Sequence, residues 1–288
     1  MKMSFKVNVL ILFVMLVAGT ACIGSKEKKQ EMKEGILLVT FGSSYPGPKA
    51  TFANIENEIR KQHPNTDLYW AYTSRIIRKI LKKRGEVLLS PEEALNKMKA
   101  EGYTQIKLQS LHIIPGTEYN DLKETLNTFL KANPTITAQL GTPLMQSDKD
   151  MNSLADCMVT AFNKEKEEGE AVLFMGHGTH HAANERYARF QKILTPKAEN
   201  FFVGTVEASP TLDDIEAKLK KTGIKTVTLT PLMSVAGDHA SNDMAGEEAD
   251  SWKSVLEARG YTVKIVLKGL GDYNDVVDIW INHLDAIK

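Results

Sequence analysis

Cysteine is nearly missing from this 288-residue chain, which has two, Cys22 and Cys157. Cys157 stands alone in the folded part, so no internal disulfide, Cys-based zinc cluster or redox pair is available there. An excess of one charge is missing too: Lys+Arg and Asp+Glu are 36 each. Without a net field, the chain has no overall charge to attract nucleic acid, and no nucleic-acid partner is expected. Gly176, Gly178 and Gly237 fit neither a G-x-G-x-x-G fingerprint nor a P-loop, which argues against a nucleotide cofactor. What remains is an ordinary globular composition, 42% hydrophobic and 25% charged. Its length suits one large domain or two of about 120–140 residues.

The longest apolar run, Val7 to Ala18, is too short for a good membrane span. Lys2 and Lys6 precede it, Gly19-Thr20-Ala21 follow, and then comes Cys22. This order reads as a signal peptide over 1–21. A Cys directly after the small residues is similar to a bacterial lipoprotein signal, although Gly19 departs from the more usual Leu. The expectation is an exported, periplasmic protein, lipid-anchored to a membrane through Cys22. Residues 22–34, rich in Lys and Glu, read as a solvated tether. Cys157 falls among Leu154, Met158, Ala161 and Phe162 at helical spacing, where it serves as a small hydrophobe.

Beyond the tether, strand-like and helical stretches alternate, and the order repeats. Gly35–Gly42, Leu68–Tyr72, the Ser90-capped Pro91–Ala100 helix and Gln105–Ile113 recur as Ala171–Gly178, Phe201–Ser209, Leu212–Leu219 and Thr226–Met233. The offsets are about 136, 135 and 121 at the three strands, with the loss between the second strand and the next helix. The fold expected is α/β: two similar Rossmann-like halves, 35–150 and 151–288. Each is a small parallel sheet flanked by helices, with the active-site cleft between the halves.

Parallel sheets bind ligands at the carboxyl edge of their strands. Aligning the halves pairs Phe41, Tyr72 and Glu118 with His177, Glu207 and His239 at that edge. The second half thus gathers two imidazoles and a carboxylate, a donor set suited to Zn, Co, Ni or Fe with positions left open. A neutral imidazole can also accept a proton. Taken singly, each residue has a plainer role: a hydrogen-bonded loop histidine, an ion-pair glutamate, a pocket wall. Their coincidence on three equivalent strand ends favours the metal site. His180 and His181 read as rim or helix-cap residues, and Asp213-Asp214 and Glu247-Glu248 as solvated helix-entry charges.

Four stretches stand out as motifs: Leu108-Gln109-Ser110-Leu111-His112-Ile113-Ile114-x-Gly116-x-Glu118-Tyr119, Phe174–Gly178, Val206-Glu207 and Pro231–Met244. Together they resemble the anaerobic cobalt chelatases, class II enzymes that insert a divalent metal into sirohydrochlorin without ATP. The resemblance spans roughly Gly35 to the C-terminus. It implies that His177, Glu207 and His239 hold the metal, that His177 takes pyrrole protons, and that Glu118 acts from the opposite wall. Phe41, Tyr72 and Met233 are expected to wall in the tetrapyrrole. Co2+ is the expected metal, with Fe2+ and Ni2+ as alternatives. A homo-oligomer is compatible with the sequence. An exported carrier of haem, corrinoid precursor or metal is the rival reading.

Overall fold

The computed structural model describes residues 32–163 and 169–288. The signal peptide, Cys22 and nearly all of the expected tether lie outside these residues. The first sheet contains β1 (Glu34–Thr40), β2 (Asp67–Tyr72), β3 (Gln105–Ser110) and β4 (Thr137–Gly141), ordered β2-β1-β3-β4. The second contains β5 (Glu170–Gly176), β6 (Phe201–Thr205), β7 (Thr226–Pro231) and β8 (Thr262–Ile265), ordered β6-β5-β7-β8. Every pairing is parallel. The two similar α/β halves expected from the repeat are present.

The central strands show why the sequence reads as continuous apolar runs rather than alternation: both faces are covered. In β1, Leu37 and Val39 point to one core while Ile36 and Leu38 point to another. In β5, Leu173 and Met175 go one way and Val172 and Phe174 the other. The helices between strands are α1 (Pro48–Gln62), α2 (Arg75–Lys83), α3 (Pro91–Ala100), α4 (Thr117–Ala132), α5 (Asp148–Asn163), α6 (Glu185–Leu194), α7 (Leu212–Thr222), α8 (Trp252–Ala258) and α9 (Asn274–Asp285). None among the described residues is long and apolar enough to cross a membrane.

Local signals repeat with the fold. Ser90 and Glu93 form a capping box on α3, and Thr211 and Asp214 form the corresponding box on α7. Asp213 pairs with Arg259, and Glu247 with Lys253. α2 has no partner in the second half, which explains where the offset shortens. β4 and β8, each short and partly exposed, complete the sheets at edges that the repeat did not mark.

The outer faces carry α3 and α4 on the first sheet and α7 and α8 on the second. The inner faces share one core. α9, the last helix of residues 151–288, packs on β3 and α1 of the first sheet, while α5 packs on α6 and α9. Phe162 of α5 meets Phe174 and Phe201 of the second sheet edge to face. Trp280, Phe174 and Phe190 in this core are fully buried. Each such side chain contributes roughly 1.5–3 kcal/mol by its removal from water. Cys157 lies half-buried against it, with burial pushing its thiol up to about 11.

Candidate active site

Equivalent backbone bonds define the two carboxyl edges. The amide N–H of Leu111 donates to Val39, and that of Leu232 donates to Met175, both at 2.8 Å. After these strands, Gly116 and Gly237 donate to Ile114 and Val235 (2.8 and 3.1 Å), and Asn120 and Ser241 donate back to Gly116 and Gly237. Glu118 and His239 therefore occupy matching positions. So do Phe41 and His177, each one residue beyond the paired ends of β1 and β5 and followed by a glycine of positive φ, Gly42 at 96° and Gly178 at 83°.

The third pair of the alignment is corrected. Thr40 lies opposite Tyr72, while Gly176 lies opposite Thr205, so Tyr72 matches Thr205. The counterpart of Glu207 is Ser74: their N–H groups donate to Phe41 and His177 at 3.2 and 2.9 Å. Ser74 is buried and caps α2. Tyr72 does not line the cleft. Its ring stacks on Trp70 (6.2 Å, 19°) and meets Phe52 of α1 edge to face, because residues two apart on a strand share a face. Burial there pushes its phenol up to about 12.

His177, Glu207 and His239 do come together. One ligand atom from each lies within 4.8 Å of the others, and the imidazoles cross at 89° with centroids 4.4 Å apart. A tetrahedral ion with bonds of about 2.0–2.1 Å holds its donors about 3.3–3.4 Å apart, so closing on an ion takes a shift of about 1 Å. Nδ1 of His177 is 2.8 Å from the Gly178 carbonyl, which can only accept. Nδ1 of His239 is 2.7 Å from a carboxylate oxygen of Asp243. Both Nδ1 atoms therefore carry the proton, and both Nε2 lone pairs are left for a cation or a proton. The carboxylate of Glu207 sits 3.5 Å from Nδ1 of His177. All three side chains are partly exposed, 44%, 52% and 30% for His177, Glu207 and His239. A metal or macrocycle can reach them without unfolding.

The cluster opens onto a cleft of about 580 Å³ between the strand ends of the two sheets. Phe41, Glu118 and Met233 line it with the three donors. Glu118 lies in the first turn of α4, where the helix dipole favours its carboxylate. His181 caps the short 3-10 turn before α6 through Nδ1, and His180 is exposed at the rim. A clasp crosses the cleft. Asn242 donates to the Tyr45 hydroxyl and to Asp238, each at 2.8 Å, tying the β1–α1 loop to the segment that carries His239.

Three contributors were missed by sequence reasoning. Asp243 reaches His239 because a single π-helical turn, Ala240–Met244, follows that residue. Its four-residue spacing was visible, but the turn was not. Tyr187 of α6 lies buried beneath the His177–Gly178 loop, whose N–H groups meet its hydroxyl while burial pushes its pKa up to about 12. Any side chain at Gly176 would overlap its ring. His112 lines the cleft with its ring enclosed, and desolvation lowers its pKa to about 4. Thr73 donates to the Thr40 carbonyl and so accepts from Nε2 of His112 (3.3 Å). The His112 amide donates to the Ser110 hydroxyl, leaving that hydroxyl to donate to Nδ1 at 2.8 Å. A neutral Nε2–H imidazole thus joins the ends of β1, β2 and β3.

Comparison with known proteins places this geometry. Residues 34–288 match the family model described as "Cobalt chelatase (CbiK)". The chain is 39% identical over 254 residues to sirohydrochlorin cobaltochelatase CbiKC of Nitratidesulfovibrio vulgaris, covering 88% of this chain and 90% of that protein. It is 36% identical over 259 residues to sirohydrochlorin cobaltochelatase of Salmonella typhimurium, covering 88% and 96%. Among solved structures it is similar to the sirohydrochlorin chelatase SirB from Bacillus subtilis subspecies spizizenii in complex with cobalt. There the TM-score is 0.61 at 15% identity, over 88% of this chain and 94% of that one, a likeness of fold. The chain belongs to the cobalt chelatase family.

Proposed function

We propose that this protein inserts Co2+ into sirohydrochlorin, with the macrocycle held in the cleft and the metal delivered from the His177–Glu207–His239 wall. The observation that carries the reading is the one-sided donor cluster: two imidazoles and a carboxylate face an open cleft and leave coordination positions free. Insertion exchanges protein ligands for pyrrole nitrogens and releases two N–H protons. As the metal leaves, the Nε2 lone pair of His177 becomes free and takes one of those protons, a general-base role worth about 10² to 10⁴ in rate. His239, freed in the same exchange, can take the second. Glu118 faces the macrocycle from the other wall and relays protons towards solvent. Phe41 and Met233 shield its faces, as the apolar walls of a ligand site do. Ligand chemistry does not separate Co2+ from Fe2+ or Ni2+ at a His2Glu site. Cobalt is the metal in the names of the relatives.

The test is to mix the protein with Co2+ and sirohydrochlorin and follow the absorbance change of insertion. Multiple turnovers are expected, with His177→Ala and His239→Ala each at least about a hundredfold slower. Stoichiometric uptake without turnover favours a carrier, and unchanged rates in both variants refute the assignment. Running Fe2+ and Ni2+ beside Co2+ ranks the metals.

We also propose export with lipid attachment at Cys22, supported by the order Lys2, Lys6, Val7–Ala18 and Gly19–Cys22. Labelled fatty acid should enter the wild-type protein and not Cys22→Ala. Equal labelling, or none in either, refutes it.

A further inference from the structure

The cleft has an electrostatic deficit. Among the described residues, its wall carries Glu118, Glu207 and Asp238 and no lysine or arginine. Sirohydrochlorin bears acetate and propionate carboxylates around its rim, so an anionic macrocycle meets acidic groups as it enters. The countercharge must come from beside the cleft, and one element there is built almost wholly of it.

α2 reads Arg-Ile-Ile-Arg-Lys-Ile-Leu-Lys-Lys, five cations and no acid in nine residues, followed by Arg84. In a chain whose charges balance overall, this is a pronounced local excess. The helix belongs to the cleft rim. Ser74 at its start accepts from Ile77 and donates its own amide to Phe41, Ile77 lines the cleft, and Arg84 at its end donates to the Ser44 carbonyl at 2.6 Å. Arg78 reaches Glu93 at 3.6 Å. Arg75, Lys79, Lys82 and Lys83 are exposed and have no ion-pair partner among the described residues. Arg75–Lys79, Arg78–Lys82 and Lys79–Lys83 are like-charge pairs four residues apart, an arrangement that destabilises a helix on its own. Arg75 also sits at the positive end of the helix dipole. An arriving polyanion relieves both strains. The second half runs from Glu207 to α7 without such a helix, so the basic element lies on one side of the cleft only.

We propose that α2 is an anion-binding rim that captures the peripheral carboxylates of the tetrapyrrole and guides the macrocycle into the cleft. This rests on reading the cleft as a tetrapyrrole site. The alternative ligand for a basic surface helix is an anionic membrane. The direct links of α2 to Phe41 and Ser44 favour the macrocycle.

The test compares the full-length protein with R75Q/K79Q/K82Q/K83Q, which spares Arg78 and Arg84 and keeps good helix formers throughout. At low salt, KM for sirohydrochlorin should rise about tenfold or more, with kcat and KM for Co2+ within about twofold. The difference should shrink as salt shortens the screening length. K79R/K82R/K83R, which keeps the charge, should behave as wild type. If the fourfold variant fails to fold, the single variants K79Q and K83Q should each raise KM by a smaller factor. An unchanged KM beside normal insertion overturns the rim and leaves the chelatase reading standing. Absence of insertion in the wild type, with sirohydrochlorin fluorescence still showing binding that weakens in the variant, upholds the rim and removes the chelatase reading. Loss of binding to phosphatidylglycerol vesicles with KM unchanged assigns α2 to a membrane and overturns the proposal.

Discussion

Removing the Asp243 carboxylate tests whether the metal wall depends on how its histidines are held. Asp243 lies 2.7 Å from Nδ1 of His239, keeping the proton there and leaving the Nε2 lone pair for a cation. Asp243→Ala leaves the ring free to rotate and to change tautomer. Loss of a partner of this kind lowers metal affinity by about 10- to 100-fold, or roughly 1.4–2.7 kcal/mol. Asp243→Asn keeps an acceptor without the charge and should fall between. Global stability should hardly move. The pair is four residues apart on the surface, with side chains 30% and 45% exposed. Pairs of that kind are worth about 0.5 kcal/mol or less. A Co2+ titration followed by visible absorption separates the two effects when run beside thermal unfolding. Affinity within twofold of wild type in Asp243→Ala refutes the orienting role. A large fall in Tm matching the loss of affinity refutes the claim that the effect is local.

Three further outcomes follow from the geometry. Tyr72→Phe should leave insertion within about twofold of wild type, because its ring packs on Trp70 and Phe52 outside the cleft; a tenfold loss of kcat/KM contradicts this placement. Burial holds folded His112 at about 4, below its unfolded 6.5, so its contribution is complete above pH 6.5 and drains away towards pH 4. Between those limits wild type should lose about 2–3 kcal/mol more than His112→Met, measured by urea unfolding, and parallel curves sink the idea. In Gly178→Ala, the new methyl must adopt a φ of 83° at 2.8 Å from the Ala208 amide. A loss of about 1–3 kcal/mol is expected, with weaker Co2+ binding through the displaced Glu207, and a variant as stable and as tight as wild type refutes it.

Sequence reasoning reached the donors because a repeat turns isolated residues into positions. His177 and His239 sit at loci that backbone bonds show to be duplicated. Glu207 was found with the wrong partner. Without visible bonds, the β2 and β6 stretches were slid by two residues, a shift that preserves the face of each residue and so leaves the hydrophobic pattern unchanged. The pairing of Thr40 with Tyr72 and of Gly176 with Thr205 removes that ambiguity. α3 and its cap were legible because Ser90, Pro91 and Glu93 act locally. α2 was not: it carries Ile77, Ile80 and Leu81 at helical spacing among its cations, but it is short and has no counterpart in the second half to mark it. β4 and β8 are short edge strands with weak patterns. Asp243 and His112 depend on a π-turn and on three strand ends meeting, neither of which has a sequence period.

The position of α9 bears on how a substrate enters. A split at residue 150 suggests two lobes that could hinge around the cleft. Yet α9 packs on β3 and α1 of the first sheet, α5 packs on α6 and α9, and one core runs continuously from Ile36 and Leu38 through Trp280 to Phe174 and Phe190. Prising the halves apart would expose these fully buried side chains at roughly 1.5–3 kcal/mol each, which soon exceeds what one ligand supplies. The strand ends on both sides of the cleft are therefore fixed relative to each other. Movement is left to the loops that the strands carry, among them the one clasped across the opening by Tyr45 and Asn242. The Tyr45 hydroxyl also meets the Asp238 carboxylate, so the clasp is two surface hydrogen bonds, one of them to a charged group, each worth about 0.5–3 kcal/mol. Admission to the cleft then depends on a surface clasp, while the distance between the metal wall and Glu118 stays set by the shared core.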